Sequence, residues 1–354
     1  MPMSRTPRID ADVHVQAPLI RKLHPYLTEH WRDYLTENGF QRPSAVAQGY
    51  PPTSAVMAKA PAESTLEDLR DRVLGSADQA IVSCYYGVEG VRHPFMAAAL
   101  ATAVNSWLRE EWLEREPRLF GSLVIPSYDT ELAVQEVKRA GGDRRFVQIA
   151  LPARSWEPYG NRRYWPIYEA AIERDLAIGI HFGGLAGNPP TPVGALDSYF
   201  EEYAAATQLF ASHVLSLLAE GVFDRYPDLR VALVESGVSW LPTWLWKLDT
   251  EWKATRREIP WVRELPSAYV RRHFALTIQP LDAPLGQPSD LREVIGHLGS
   301  DDMLMFSSDY PHQHASDTDQ LLGLLDPAQL EKVLHTNASR FFRLADRAAI
   351  AGRV

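Results

Sequence analysis

LAIGIHF, residues Leu176–Phe182, is a short apolar run that ends beside a histidine, and the chain repeats this pattern. Seven other runs rich in Val, Ile, Leu and aromatic residues are separated by longer stretches with helical spacing. Such near-continuous apolar strands are typical of parallel sheets that helices cover on both faces. The eight predicted strands are Ile9–His14, Ala80–Tyr85, Leu119–Ile125, Phe146–Leu151, Leu176–Phe182, Arg230–Glu235, His273–Gln279 and Met303–Ser308.

Eight strands that alternate with helices predict one domain over residues 1–354, a (β/α)8 or TIM barrel of the α/β class. Two long insertions interrupt the pattern. Residues 17–62, rich in proline and aromatic residues, follow the first strand, and Gly183–Ser198 follow the fifth. We expect both to line the barrel mouth and 17–62 to cover it. The predicted helices are Pro94–Glu116, Glu131–Ala140, Tyr164–Arg174, Tyr203–Gly221, Trp240–Lys253 and Pro327–Phe342.

Charge and composition disfavour several classes of protein. The chain has a formal net charge of −9 and no stretch dominated by Lys or Arg, which argues against binding to nucleic acid or a membrane surface. No segment approaches the roughly 20 apolar residues that cross a bilayer, and the N-terminal residues lack the apolar core of a secretory signal. The single cysteine, Cys84, excludes an internal disulfide and fits a reducing cytoplasm. We therefore expect a cytoplasmic protein that acts on a small molecule, with a homodimer as one option.

Potential metal ligands stand at the ends of four predicted strands. The first strand ends in IDADVH, the fifth in IGIHFGG, the sixth in VALVESG, and MFSSDYPHQH includes the end of the eighth. Because the carboxyl ends of barrel strands converge on one site, we expect these side chains to meet. The predicted ligands are Asp12, His14, His181, Glu235, Asp309 and His312, with His314 as the alternative to His312. Asp309 and Glu235 are also the predicted catalytic residues.

Each of these residues alone has a simpler interpretation. A lone histidine or aspartate at a strand end is more often a satisfied loop residue. Glu235 is harder to dismiss, because an acidic side chain that closes an apolar run is costly to bury without a cation or a donor. Three imidazoles and three carboxylates are too many for one tetrahedral zinc ion and fit two ions better. Mixed nitrogen and oxygen ligands suit iron or manganese at least as well as zinc.

Aromatic and basic residues near the strand ends are candidates for substrate binding. The aromatic side chains could line an apolar cavity, and the arginines could meet a phosphate group. Core packing and solvated loop charge are the competing interpretations. The candidates are Tyr85, Tyr86, Arg154, Trp156, Tyr159, Arg162 and Tyr310, with Arg92 and Arg163 in similar places.

Over nearly the whole chain, these motifs resemble the amidohydrolase-related (amidohydrolase 2) superfamily, in the branch of metal-dependent hydrolases and decarboxylases. The resemblance rests on the Asp-x-His element of the first strand, on His181, on SGVSWLPTWLWKLD and on FSSDYPH. In that family the first strand normally ends in His-x-His and the sixth contributes a histidine that acts on water or substrate. This chain has Asp12 and Glu235 at those places, which counts against ordinary hydrolysis or decarboxylation.

The carboxylate-rich pattern, with segments such as YYGVEGVRHP and LTIQPLDAP, is similar to the TIM-barrel non-haem diiron monooxygenases of platensimycin and platencin biosynthesis. This resemblance implies two iron ions, dioxygen, an external electron donor and hydroxylation of a hydrophobic acyl substrate linked to coenzyme A. Carboxylates stabilise the higher oxidation states of iron, which agrees with that chemistry. We therefore predict an oxidoreductase, a non-haem diiron monooxygenase of secondary metabolism.

Two alternative functions remain open. In a metal-dependent hydrolase or decarboxylase, the same cluster would hold zinc or manganese and Asp309 would move the proton. In a non-catalytic barrel, the polar mouth would bind a ligand without turnover.

Overall fold

Eight parallel strands form one sheet in chain order, and the sheet closes into a barrel. The computed structural model describes residues 6–43, 64–184, 188, 190–194, 196–284, 288–314 and 318–351. Within these residues the strands are β1 Ile9–His14, β2 Gln79–Ser83, β3 Leu119–Val124, β4 Phe146–Arg154, β5 Ala177–Gly184, β6 Val231–Val234, β7 Phe274–Thr277 and β8 Leu304–Met305.

Backbone hydrogen bonds between β1 and the segment that follows β8 close the barrel. The Ala11 amide donates to the Phe306 carbonyl at 2.9 Å, and the His14 amide donates to the Tyr310 carbonyl at 2.7 Å. The predicted (β/α)8 barrel is therefore confirmed.

Helices lie between successive strands, as the alternating sequence pattern predicts. The chain also contains two π-helical segments. Arg109–Leu113 follows α4, and Lys332–Thr336 joins α13 to α14. The described α-helices are α1 Ile20–Leu23, α2 Glu29–Glu37, α3 Leu66–Arg72, α4 Pro94–Leu108, α5 Thr130–Ala140, α6 Trp165–Glu173, α7 Tyr199–Ala219, α8 Val222–Arg225, α9 Trp240–Thr255, α10 Pro266–His273, α11 Pro288–Gly296, α12 Asp319–Leu322, α13 Pro327–Glu331, α14 Asn337–Phe342 and α15 Leu344–Ala351.

The boundaries of β4 and β8 differ most from the predicted ones. β4 continues to Arg154 because its pairing with β5 extends to Arg154 opposite Gly184. β8 contains only two residues, since the Phe306 amide donates to the Val333 carbonyl and the chain then turns toward the barrel mouth. A short β8 leaves the following residues free to carry side chains into the site.

The predicted insertions contain helices that the sequence pattern did not show. Residues 17–62 include α1, the 3-10 helix His24–Tyr26 and α2, which bury Leu23 and Leu35 in the core. In the second insertion, α7 begins four residues earlier than predicted because the Ser198 side chain accepts the Glu201 amide at its start. Residues 44–62, 185–187, 189 and 195 lie outside the described residues, so the covering of the mouth stays a prediction.

The barrel interior changes from apolar to charged along its axis. One apolar cluster takes residues from all eight strands, including Ile9, Ile81 and Met305, and includes Ala338 and Phe342 from α14. Residues from every strand can meet in this way only inside the barrel. A buried polar layer follows, with Ser83, Ser122, Gln148, Thr277 and Ser307. The side chains of the predicted metal ligands lie beyond this layer, at the carboxyl ends of the strands.

Candidate metal centre

All six predicted ligands lie in one cluster. Their donor atoms form two overlapping groups, and within each group the atoms lie within 4.8 Å of one another. The first group is Asp12, His14, His181 and Glu235; the second is His14, Glu235, Asp309 and His312.

The barrel strands and the turns after them aim these side chains. Asp12 and His14 alternate with Val13 on β1 and therefore share the inner face, and His181 lies on β5. Glu235 directly follows β6, where its amide donates to Thr277 Oγ1 at 3.0 Å. Barrel strands thus carry Asp12, His14 and His181, while Glu235, Asp309 and His312 lie in the segments that directly follow β6 and β8.

Two of the acidic residues adopt an unusual backbone conformation. Glu235 has φ 59° and Asp309 has φ 54°, both in the left-handed region that disfavours residues with a Cβ. This conformation costs roughly 1–2 kcal/mol for each residue. Strain of this kind is common at functional sites, where the position of a side chain matters more than an unstrained backbone conformation.

His14 lies at the centre of the cluster. Its Nε2 is 2.8 Å from Asp309 Oδ1, 3.2 Å from Glu235 Oε1 and 3.5 Å from Asp12 Oδ1. His181 Nε2 is 2.9 Å from the same Glu235 oxygen and 3.9 Å from Asp12 Oδ2. Imidazole nitrogens and carboxylate oxygens therefore face one another across a small space.

Apart from the ion-pair contacts above, most of these donor atoms are buried without a hydrogen-bond partner among the described residues. They are both carboxylate oxygens of Asp12, Nε2 of His14 and His181, and Oε1 of Glu235. Each such group costs about 1–3 kcal/mol if nothing pairs with it. His181 Nδ1 contacts the Phe182 carbonyl, which places a ring proton there and leaves the Nε2 lone pair free. This donor set fits a divalent metal ion.

Carboxylates around His14 and His181 favour the protonated, positively charged forms of both imidazoles. Burial lowers the pKa of His14, but the carboxylates of Asp12, Asp309 and Glu235 outweigh burial and hold that pKa well above its ordinary value. Burial also lowers the pKa of His181, and Glu235 and Asp12 raise it by more. Protons on these imidazoles compensate the carboxylates, and an entering metal ion must displace them.

Asp309 receives contacts from three histidines. Burial raises its pKa, but the close contacts of His14, His312 and His314 outweigh burial and hold the pKa well below its ordinary value. His312 Nδ1 lies 2.9 Å from Oδ1, and His314 Nε2 lies 2.5 Å from Oδ2. His312 belongs to the second donor group and His314 does not. The geometry therefore favours His312 as the ligand and His314 as the partner of Asp309.

Tyr85 forms one wall of the cluster. Its ring centroid lies 3.9 Å from that of His181, with the ring planes 30° apart, and 5.4 Å from that of His14. Tyr85 follows β2 two residues after Ser83, which pairs with His14 in the sheet, so it continues the inward-facing row. Among the predicted substrate residues, Tyr85 is the one that contacts the cluster through its ring.

Tyr86 and Tyr159 lie in the hydrophobic core. Tyr86 follows Tyr85 in the segment after β2, and its side chain packs in the core, where it is 1% exposed. Tyr159 is fully buried, stacks on His213 and donates its hydroxyl proton to the Pro152 carbonyl at 2.7 Å. The structure does not bring these two residues to the donor atoms, and their role in substrate binding stays a prediction.

The other predicted substrate residues lie around the rim. Arg154 forms an ion pair with Glu202 at 2.7 Å, and both side chains are largely buried. Trp156 is 55% exposed, and the Arg162 side chain is 71% exposed. Tyr310 contributes its backbone carbonyl, which accepts the His14 amide. Nothing tests a substrate role for these four residues.

Residues outside the predicted ligand set support the cluster. Asp10 Oδ1 accepts the Ser308 amide at 2.9 Å and so connects β1 to the turn that carries Asp309. Asp282 accepts the amides of Val238 and Ser239 at 2.7 and 3.1 Å, behind Glu235. The sequence did not reveal Asp282 and Thr277, because their contacts join distant segments and no motif records them.

The chain matches the family model of Amidohydrolase over residues 9–344. It belongs to the amidohydrolase family. The predicted membership in this superfamily is therefore confirmed, and the matched region contains all eight strands of the barrel.

Curated relatives of this chain include decarboxylases. Gamma-resorcylate decarboxylase of a Polaromonas species is 26% identical over 306 residues, which cover 79% of this chain and 89% of that protein. The enzyme of the same name from Rhodococcus jostii is 25% identical over 279 residues, covering 73% and 80%.

Solved structures share the barrel fold. The 2,6-dihydroxybenzoate decarboxylase from Rhizobium has a TM-score of 0.66 at 21% identity, covering 96% of this chain and 99% of that one. The 5-carboxyvanillate decarboxylase from Novosphingobium aromaticivorans, complexed with manganese and 4-hydroxy-3-methoxy-5-nitrobenzoic acid, has a TM-score of 0.71 at 19% identity, covering 97% of each chain.

These relatives show that the predicted non-haem diiron monooxygenase is wrong. They are decarboxylases, so the oxidoreductase assignment and the resemblance to the enzymes of platensimycin and platencin biosynthesis are not supported. Dioxygen, an electron donor and a coenzyme A thioester likewise have no support. The error has a physical cause: imidazole and carboxylate ligands suit manganese as well as iron, so ligand type does not distinguish redox chemistry from decarboxylation.

The prediction of two iron ions also lacks support. A relative's structure contains manganese, and the two donor groups of this chain share His14 and Glu235 rather than forming separate sites. In the part of the chain that the structure describes, no helix is long and apolar enough to cross a membrane. The cytoplasmic location, a homodimer and the absence of a nucleic-acid partner stay predictions.

Proposed function

We propose that this amidohydrolase is a metal-dependent decarboxylase that removes the carboxylate group of an aromatic acid without oxidation. One observation carries the proposal: buried imidazole and carboxylate donors without partners converge at the carboxyl ends of the barrel strands. Similarity to gamma-resorcylate decarboxylases over 79% and 73% of the chain supports the class of reaction and substrate.

In this proposal the free donor atoms of Asp12, His14, His181 and Glu235 hold the ion, with Asp309 and His312 beside them. A divalent ion such as manganese supplies positive charge that binds the substrate carboxylate and draws electron density from the ring. Glu235 acts as a ligand rather than as an acid, because His14 and His181 both face its Oε1.

Decarboxylation breaks the bond between the ring carbon and the carboxylate carbon. The electron pair stays on the ring carbon, carbon dioxide leaves, and a proton must take its place. Asp309 Oδ2 and His314 Nε2 lie 2.5 Å apart, a distance at which the two atoms can share a proton. We assign Asp309 as the residue that passes this proton to the ring carbon, with His314 as its partner.

An anaerobic assay tests the proposal. Manganese-loaded protein is incubated under nitrogen with 2,6-dihydroxybenzoate and with 5-carboxyvanillate, and carbon dioxide and the phenolic product are measured. We expect equal amounts of both products, loss of activity on chelation and its recovery with Mn²⁺. Asp309→Asn should lower kcat by about 10²–10⁴-fold. Asp290→Asn, at an exposed position of α11, is the matched control and should keep wild-type activity.

Two results would contradict the proposal. One is the absence of carbon dioxide release from any hydroxylated aromatic acid by protein that has bound its metal. The other is metal-dependent cleavage of an ester or amide with no decarboxylation, which would indicate a hydrolase on the same cluster.

A further inference from the structure

The hydroxyl group of Tyr85 is a buried polar group that the proposed reaction does not yet use. Its oxygen is buried and makes no well-aligned hydrogen bond with any described residue, and the nearby Ser83 hydroxyl is already engaged with Ser122 Oγ at 2.8 Å. Such a group costs about 1–3 kcal/mol, and native structures contain few of them. A ligand that brought an acceptor oxygen to this hydroxyl would remove the cost.

Tyr85 lies where a ligand of the metal cluster would meet it. Its ring stacks on His181 and lies beside His14, and both belong to the first donor group. A phenolic hydroxyl can donate a hydrogen bond to an acceptor oxygen of such a ligand.

The charge of the cluster makes a neutral donor useful. Three carboxylates exceed the charge of one divalent ion, so an aromatic anion that enters the site meets negative charge as well as the ion. Arg154, the basic candidate on the neighbouring β4 rim, is already paired with Glu202 at 2.7 Å. A neutral O–H group can hold an anionic oxygen in this setting, and a hydrogen bond to a charged acceptor contributes about 1.5–3 kcal/mol.

We propose that Tyr85 is a substrate-binding residue, whose hydroxyl donates a hydrogen bond to an anionic oxygen of the aromatic ligand held at the metal cluster. The role rests on the proposed function for the class of ligand. It does not require turnover, and binding alone can test it.

Tyr86 provides a matched control for Tyr85. It is the next residue, it is also buried, and its hydroxyl also makes no hydrogen bond with any described residue, but its side chain packs in the core. Tyr85→Phe and Tyr86→Phe each remove one oxygen atom. A general effect of losing a buried hydroxyl would appear in both variants.

The experiment compares manganese-loaded wild type, Tyr85→Phe and Tyr86→Phe. Calorimetry gives Kd for two aromatic anions found with relatives, 2-nitroresorcinol and 4-hydroxy-3-methoxy-5-nitrobenzoate. We expect Tyr85→Phe to keep its manganese and to weaken both Kd values about tenfold, which is about 1.4 kcal/mol. If the wild type turns over, KM should rise by a similar factor and kcat should change less, because the bond already exists in the bound ground state. Tyr86→Phe should match the wild type.

Each alternative result has a definite meaning. Unchanged Kd values in Tyr85→Phe would overturn the role, and so would a loss of manganese, since Tyr85 would then act on the metal rather than on the ligand. A third result is that Tyr85→Phe binds the anions more weakly than the wild type, while the wild type itself releases no carbon dioxide. This result would support the role of Tyr85 and contradict the proposed function. Failure of the wild type to bind either anion would overturn both.

Discussion

Two buried histidines of this barrel lie flat against tyrosines, yet their surroundings differ. His181 stacks on Tyr85 at 3.9 Å, and His213 stacks on Tyr159 at 4.5 Å. Both ring nitrogens of His213 have partners: Nδ1 accepts the Tyr159 amide at 3.2 Å, and Nε2 donates to the Ala153 carbonyl at 2.7 Å. Nε2 of His181 has no hydrogen-bond partner and faces carboxylates.

The pKa values of the two rings move in opposite directions. Burial lowers the pKa of His213 to about 4, so this ring is neutral in the folded protein near pH 7. At His181 burial also lowers the pKa, but Glu235 and Asp12 outweigh it. Burial and stacking are therefore shared by a structural histidine, His213, and by the proposed metal ligand His181. A free ring nitrogen beside carboxylates is what distinguishes the proposed ligand.

Replacement of His181 should have the largest effect. His181→Asn removes a donor atom of the cluster, and we expect metal affinity to fall by at least about 100-fold, with decarboxylation lost in parallel. His213→Asn is the matched control on the structural pair and should keep wild-type manganese content. Elemental analysis of both purified variants measures this. Full manganese content in His181→Asn would remove the distinction between the two histidines.

Glu235→Gln should have a smaller effect on the same cluster. The amide keeps the shape of the side chain but loses its charge, so we expect metal affinity to fall about 10–100-fold. The barrel core is untouched, and circular dichroism should show a wild-type fold. Manganese stoichiometry equal to the wild type at limiting metal would show that Glu235 is not a ligand.

Removal of the His213 ring should affect stability rather than metal binding. His213→Phe keeps an aromatic ring against Tyr159 but leaves the Tyr159 amide without its partner, and it removes one of the two donors to the Ala153 carbonyl, which also accepts the Ser155 amide at 3.1 Å. Each lost partner costs about 1–3 kcal/mol, and we expect a free energy of unfolding about 3 kcal/mol below that of the wild type in urea titrations. A variant as stable as the wild type would mean that neither contact contributes.

Through His213, low pH should lower the free energy of unfolding over a defined pH range. The unfolded ring has a pKa near 6.5 and the folded ring near 4, so in this range only the unfolded chain takes up the proton. Stability then falls as the pH falls from about 6.5 toward 4, by about 2 kcal/mol at pH 5. Urea titrations at pH 7 and pH 5 should show this loss in the wild type and not in His213→Phe. An equal loss in both proteins would assign the acid sensitivity to other groups.

The same contrast explains how far the sequence could predict the site. Asp12, His14, His181, Glu235 and Asp309 follow or end apolar runs, and a barrel brings such positions together, so the cluster could be predicted without any distance. The sequence did not show that the His213–Tyr159 pair is stacked in the core or that Tyr85 stacks on His181. The contacts of His213 with Ala153 and Tyr159 join residues more than 50 positions apart, and no local pattern records them.

Chemistry was harder to predict than position. The substitutions at Asp12 and Glu235 favoured iron in the sequence argument, although the same ligands serve manganese. Tyr85 and Tyr86 were equal candidates, because strand alternation separates them only once one of the two is known to face inward. The helices α1 and α2 lie in a proline-rich segment without clean periodicity, and they form because Leu23 and Leu35 can be buried against the barrel.

The smallest effect is expected from the tyrosine hydroxyls of the core. Tyr159→Phe leaves the Pro152 carbonyl without its donor, and we expect a loss of about 1 kcal/mol in the free energy of unfolding. Tyr86→Phe removes a hydroxyl that has no partner, so its stability should equal or exceed that of the wild type. Urea titrations of both variants, with the Kd for 2-nitroresorcinol as the second measurement, separate the two cases. A similar loss in both variants would mean that burial of the oxygen matters and its hydrogen bond does not. A wild-type Kd for 2-nitroresorcinol in both variants would distinguish the core tyrosines from Tyr85, whose loss of the hydroxyl should weaken that Kd.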